Sequence, residues 1–242
     1  MKNILITGVS RGLGLKIAEV VLKEGNTVYG LSRTKTDEFE QLVQKYPEKI
    51  FWTSVDFQNR KLDLNRIVFK EFLNIKIPIH GFVNNAALAY DDLITNLNVE
   101  KTETMFWVNV FSPMVLTKYS IRNMIYNHVA GSIIHISSIS VHTGYKGLAM
   151  YASTKGALEA FSKNTAREWG EKGIRSNAIV AGFMETSMSN TLNDDQKNRI
   201  YSRSSLKKST TLDSVAETAF FLLSDKADSI TGQNIFVDSG TI

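Results

Sequence analysis

The stretch NILITGVSRGLG, Asn3 to Gly14, decides how this chain is read. Its first half is a short unbroken apolar run, suited to a strand covered on both faces. Its second half carries glycines at 8, 12 and 14 and leads into LGLKIAEVVLKEG. There Leu13, Ile17, Val20 and Val21 recur with a helical period, and Gly25 is placed to end the helix. Glycines between a buried strand and a helix let the backbone turn tightly and bring its N–H groups to an anion, where the positive helix end adds its field. The stretch is therefore a phosphate cradle, although its spacing is G-x3-G-x-G and not the usual G-x-G-x-x-G.

Outward from this unit the pattern repeats. NTVYGLS, KIFWTSVD, HGFVNNA (His80–Ala86), GSIIHISS (Gly131–Ser138), IRSNAIVAG and NIFVDSG read as six further strands. A polar helical segment precedes His80. Longer helical stretches cover Glu100–Asn127, Tyr151–Gly170 and SVAETAFFLLS. Apolar strands alternating with helices predict a doubly wound, Rossmann-type parallel α/β sheet of about seven strands with helices on both faces. The chain has three prolines and no Pro/Gly/Ser linker, so one domain is expected over residues 1–242.

Composition narrows the class. The 242 residues are 43% hydrophobic and 21% charged, a globular profile. No apolar run approaches the roughly 18 residues of a membrane span. The apolar run in MKNILITG is too short for a signal-peptide core, so a cytoplasmic address is expected and no membrane partner. The absence of cysteine excludes disulfides and thiolate metal sites. The net charge of +4 mildly favours anionic ligands, but the basic residues are spread along the chain, so nucleic acid is not an expected partner. The four histidines have no metal-ligand spacing, and no metal site is expected; His142, in the loop before Tyr151, is a candidate substrate contact.

In a doubly wound sheet ligands bind beyond the carboxyl ends of the strands, so the residues there carry the chemistry. The second strand ends in Leu31, Ser32 and Arg33, where a protein that prefers NAD usually places an acid. Arg33 with Arg11 suits a ribose 2′-phosphate, which points to NADP(H). Asp37 lies four residues beyond Arg33 and outside such a pocket. Asp56 ends the third strand, suited to accept a bond from an adenine amino group. NNAA, Asn84–Ala87, ends the fourth. Ser137 and Ser138 end the fifth, and thirteen residues later come Tyr151 and Lys155, one helical turn apart on one face. Asn109 places an amide within an apolar helical stretch, which costs free energy unless it is bonded.

Taken in register, TGVSRGLG, NNAA, Asn109, Ser138 and YASTK resemble the short-chain dehydrogenase/reductase family over nearly the whole chain. The stretch from Ser153 to Met188 and the tail LSDKADSITGQ are similar to its 3-oxoacyl-[acyl-carrier-protein] reductase branch. The resemblance implies catalysis by Asn109, Ser138, Tyr151 and Lys155. It implies NADP(H) contacts at Gly8, Ser10, Arg11, Gly12, Leu13, Gly14, Ser32, Arg33, Asp56, Phe57, Asn85, Ala86, Tyr151, Lys155 and Thr186.

The chain departs from the family's pattern at Ala87 in place of a glycine, and at Ala181–Gly182 in place of Pro-Gly, which leaves that turn less fixed. An acyl-carrier protein is the partner of that branch. Lys172 matches one basic position that receives it, and Val129 stands where the other basic residue belongs. Reduction of a sugar, polyol or specialised-metabolite carbonyl is therefore an alternative, and a cofactor-binding protein without turnover is a weaker one. A homotetramer through the two long helices is implied by resemblance. Met105, Phe106, Phe111, Leu158 and Phe161 suit burial there or on the sheet.

The implied mechanism reduces a ketone by hydride transfer. Tyr151 gives the proton, Lys155 and the positive nicotinamide left by hydride loss lower its pKa, Ser138 bonds the carbonyl oxygen and Asn109 steadies a water. The polar segment 187–211 is expected to form a substrate lid, with Met184, Met188 and Leu192 lining an apolar pocket.

Overall fold

Each apolar run becomes a strand of one parallel sheet in the computed structural model, which describes residues 1–186 and 193–242. The strands are β1 (Asn3–Thr7), β2 (Thr27–Ser32), β3 (Ile50–Ser54), β4 (Gly81–Asn84), β5 (Ser132–Ser138), β6 (Arg175–Ala181) and β7 (Asn234–Val237). They lie in the order β3-β2-β1-β4-β5-β6-β7, every pair parallel. The chain winds outward from β1 to β3, returns to β4 beside β1, and winds outward the other way. The crevice for a ligand opens at that reversal, between β1 and β4.

The helices are α1 (Gly12–Lys23), α2 (Asp37–Lys45), α3 (Val99–Phe106), α4 (Ser112–Tyr126), α5 (Ala149–Trp169), α6 (Asp194–Arg203) and α7 (Leu212–Leu223). Successive strand residues point to opposite faces, so one apolar run feeds two cores. Ile4 and Ile6 pack with Ile17 and Val21 of α1 and with Val215 and Ala219 of α7. Leu5, between them, packs with Phe82, Ile133 and with Leu116 and Met124 of α4 on the other face.

The helix expected without a break from Glu100 to Asn127 is two helices joined by a wide turn, Trp107–Phe111. Pro113 has no N–H to give to the carbonyl of Asn109 four residues back, and the N–H of Ser112 bonds instead to Trp107, five back. The polar helical segment before His80 runs Asn65–Phe72 with the same wide winding, and Leu73 N–H reaches Val68 O at 2.9 Å. Met105 and Leu158 belong to the core, whereas Phe111 is half exposed. Among the described residues no helix is long and apolar enough to cross a membrane.

Candidate active site

The switch point is built by Thr7, the last residue of β1. Its buried hydroxyl accepts the N–H groups of Asn85 (3.0 Å) and Ala86 (2.9 Å), and so ties the end of β4 to the end of β1. Asn85 returns the bond: its Nδ2 donates to Thr7 O (2.9 Å) and Gly8 O (3.3 Å). Asn85 thus braces the glycine loop with its side chain while lining the cleft above it.

The glycines have separate tasks. Gly8 and Gly12 have φ of +68° and +54°, which side chains rarely adopt. A Cβ on Gly14 would lie 2.1 Å from Gly8 O, so Gly14 lets α1 pack onto the strand end and does not itself line the cleft. A Cβ on Gly12 would meet nothing closer than Thr186 Cγ2 at 3.9 Å. Gly12 therefore leaves room that a ligand can use. Thr36 steadies the loop from outside: it donates to Ser10 O at 2.5 Å while its oxygen caps α2 at Phe39 N–H.

A cleft of about 750 Å³ runs from this loop across the carboxyl ends of the strands. It brings together Gly8, Ser10, Arg11, Gly12, Leu13, Ser32, Arg33, Asp56, Phe57, Asn85 and Ala86 with Ser138, Tyr151, Lys155 and Thr186. Its volume lies within the roughly 300–1,000 Å³ of small-ligand and cofactor sites. Of the residues singled out from sequence, Gly14 and Asn109 stand behind its wall. Asp37 starts α2 and lies off it. Met184 lines it, while Met188 and Leu192 fall outside the described residues.

The hydroxyl of Ser32 is engaged at the end of β2, accepting from Trp52 Nε1 (2.8 Å) and donating to Thr34 O (3.0 Å). Arg11 and Arg33 are exposed on the cleft, and among the described residues neither is in an ion pair.

At the other end, Ser138 closes β5. Its Oγ accepts both the N–H (3.2 Å) and the hydroxyl (3.0 Å) of Ser140. With its lone pairs so engaged, Ser138 has its own proton left to donate. Tyr151 and Lys155 sit in the first turns of α5, which packs on β5 and β6. Lys155 is buried and donates to Ile136 O at 2.8 Å, with its Nζ 5.6 Å from the Tyr151 ring centroid. Asn109 is fully buried in the wide turn between α3 and α4. It accepts from Leu88 N–H (2.8 Å) and donates to Leu88 O (2.8 Å) and Thr154 Oγ1 (3.0 Å). Its amide fixes the cleft wall that follows β4 and joins it to α5.

Burial first, and the charge of Asp91 second, hold the Tyr151 phenol above its ordinary value near 10. Burial also destabilises the Lys155 ammonium, whose pKa falls to about 8. The same environment keeps His135, behind the site on β5, neutral: burial, then Lys155, lower its pKa to about 3.

Two further expectations change. His142 does not line the cleft; it turns to Glu159 and stacks edge-on against Phe236. The turn at Ala181–Gly182, expected to be less fixed, is held by Gly182 N–H to Val237 O (2.9 Å) and Thr210 N–H to Phe183 O (2.9 Å). Of segment 187–211, the described part contains α6, capped by Asn193 with Gln196, and none of it lines the cleft. Thr7, Ser140 and Asp91 were not picked out from the sequence. The only signal for Thr7 was a hydroxyl at the end of an apolar strand.

A family model described as enoyl-(acyl carrier protein) reductase matches residues 8–241. The chain belongs to the short-chain dehydrogenase/reductase family. Within this family of oxidoreductases it is 32% identical to the 3-oxoacyl-[acyl-carrier-protein] reductase FabG of Buchnera aphidicola, over 99% of this chain and 96% of the other. It is 29% identical to L-xylulose reductase of Caenorhabditis elegans, over 99% and 95%. The solved structure described as ElxO with NADP bound superposes with a TM-score of 0.85 at 28% identity, covering 99% and 98% of the two chains. The chain's relatives thus include both a 3-oxoacyl-[acyl-carrier-protein] reductase and a xylulose reductase.

Proposed function

We propose that this short-chain dehydrogenase/reductase is an NADP(H)-dependent ketone reductase of the 3-oxoacyl-[acyl-carrier-protein] type. The observation that carries the reading is one cleft shared by the glycine loop, the two arginines, and the Ser138–Tyr151–Lys155 group. The loop fits a dinucleotide phosphate, since Gly12 combines a left-handed backbone with open space above it. Arg11 and Arg33 would hold the 2′-phosphate, and Asp56 the adenine. NADPH, when bound, supplies the hydride.

The chain's own residues supply the rest. Ser138 donates its hydroxyl proton in a hydrogen bond to the substrate carbonyl oxygen and fixes its position. Tyr151 passes the phenolic proton to that oxygen as it becomes an alkoxide, a step worth ~10²–10⁴-fold when the donor is well placed. The Lys155 ammonium stabilises the phenolate that remains. Asn109 keeps Leu88 and Thr154 in place around this group.

A sugar or polyol carbonyl is the second reading. Val129, partly buried, stands in place of a basic residue of the carrier-protein patch, while Lys172 is exposed at the other position. NADPH oxidation with a short 3-oxoacyl thioester, its carrier-protein form and a panel of ketoses separates the two. Turnover of the thioesters above all ketoses is expected. Turnover of ketoses alone would replace the first reading with the second, and NADPH binding without turnover of any carbonyl would remove both.

A further inference from the structure

Glu159 lies on α5, one turn beyond Lys155, and is 5% exposed. A carboxylate so buried needs several donors, and it has three from three other parts of the fold. Ser137 Oγ donates from the end of β5. His142 Nε2 donates at 2.9 Å from the close of the short turn Ile139–Val141. Asn234 Nδ2 donates at 2.6 Å from β7. A carboxylate only accepts, which places the His142 ring hydrogen on Nε2. Phe236 packs edge-on with the ring, centroids 4.8 Å apart.

These partners bracket Ser138. Ser137 precedes it, and His142 ends the turn that follows it. Inside that turn stands Ser140, whose N–H and hydroxyl both point to Ser138 Oγ. The direction of the Ser138 proton is therefore set by Ser140, and the place of Ser140 by the turn that Glu159 pins at both ends. The same carboxylate fixes the turn to the helix that carries Tyr151 and Lys155.

We infer that Glu159 and His142 are positioning residues that hold Ser138 in register with Tyr151 and Lys155. Neither touches the substrate. This inference rests on the carbonyl-reductase reading, because it concerns how Ser138 meets a carbonyl oxygen.

The test uses the full-length protein with NADPH and the carbonyl substrate turned over best. Glu159→Gln keeps the shape but cannot accept from all three donors. Glu159→Ile with His142→Val replaces the pair by apolar side chains and leaves Ser137 and Asn234 without this acceptor, so urea denaturation accompanies the kinetics to show that the variant is folded. His142→Gln restores a side-chain N–H donor on a neutral group. We expect kcat to fall about tenfold in Glu159→Gln and in the double variant, as a small misplacement of a reacting group does. The KM for NADPH is expected to stay within about twofold, since the cofactor loop lies at the other end of the cleft. His142→Val alone should lower kcat to a similar extent, and His142→Gln should recover most of that loss. Wild-type kcat in a folded double variant would overturn the inference, as would a parallel rise in the KM for NADPH or a His142→Gln no better than His142→Val. An inactive wild type would instead remove the reading beneath it, so the two failures are distinct.

Discussion

The Nζ of Lys155 stands 5.6 Å from the centre of the Tyr151 ring and gives a hydrogen bond to Ile136 O at 2.8 Å. The ammonium is thus aimed by a β5 carbonyl and placed beside the phenol. Tyr151→Phe removes only the hydroxyl and leaves this arrangement in place. Its kcat should fall by ~10²–10⁴-fold, while NADPH binding, followed by cofactor fluorescence, changes far less because the rest of the cofactor's contacts remain. A variant retaining half of the wild-type rate would show that another group delivers the proton.

The two groups titrate in different ranges. Tyr151 is held above its ordinary value by burial and by Asp91, so the phenol keeps its proton across the working range. Lys155 is lowered to about 8 by burial. As pH rises through about 8, Lys155 loses the charge that stabilises a developing phenolate, so reduction should slow above that pH. A pH series of kcat for ketone reduction from 6 to 10 checks this. A rate unchanged up to pH 10 would contradict it.

Arg11 and Arg33 are the basic groups at the β2 end of the cleft, where Ser32 is already bonded to Trp52 and Thr34. Replacing both by Ala removes charge-assisted bonds worth roughly 1.5–3 kcal/mol each when fully made. The KM for NADPH should rise at least tenfold and that for NADH should hardly move. Steady-state kinetics with both cofactors decide it, and an equal loss with NADH would assign the arginines to the shared part of the dinucleotide.

The strands and the glycine loop were legible because their signals are local: short apolar runs, and glycines after the first of them. The cleft was legible because strand ends in a parallel sheet converge. What stayed hidden is nonlocal. The break at Trp107–Phe111 depends on Pro113 lacking one N–H, in a stretch whose apolar period runs straight through. His142 lies in the loop before Tyr151, yet its partner Glu159 is a full helix segment away and turns it from the substrate side. The raised pKa of Tyr151 depends on burial and on Asp91, neither of which spacing reveals.

The two loop glycines separate packing from binding. At Gly14 an added Cβ would fall 2.1 Å from the backbone oxygen of Gly8, and neither α1 nor β1 can give way without shifting against the core. Gly14→Ala should therefore cost about 3 kcal/mol of folding stability. At Gly12 there is space for a methyl group, and only the φ of +54° resists it, so Gly12→Ala should cost about 1–2 kcal/mol. The Gly12 methyl would instead occupy the room above the loop proposed to cradle a phosphate, and NADPH affinity should drop more in Gly12→Ala than stability does. Urea denaturation and cofactor titration of both variants test the division. Equal stability losses at the two positions would show that the close approach of Gly14 to Gly8 is not what requires a glycine there.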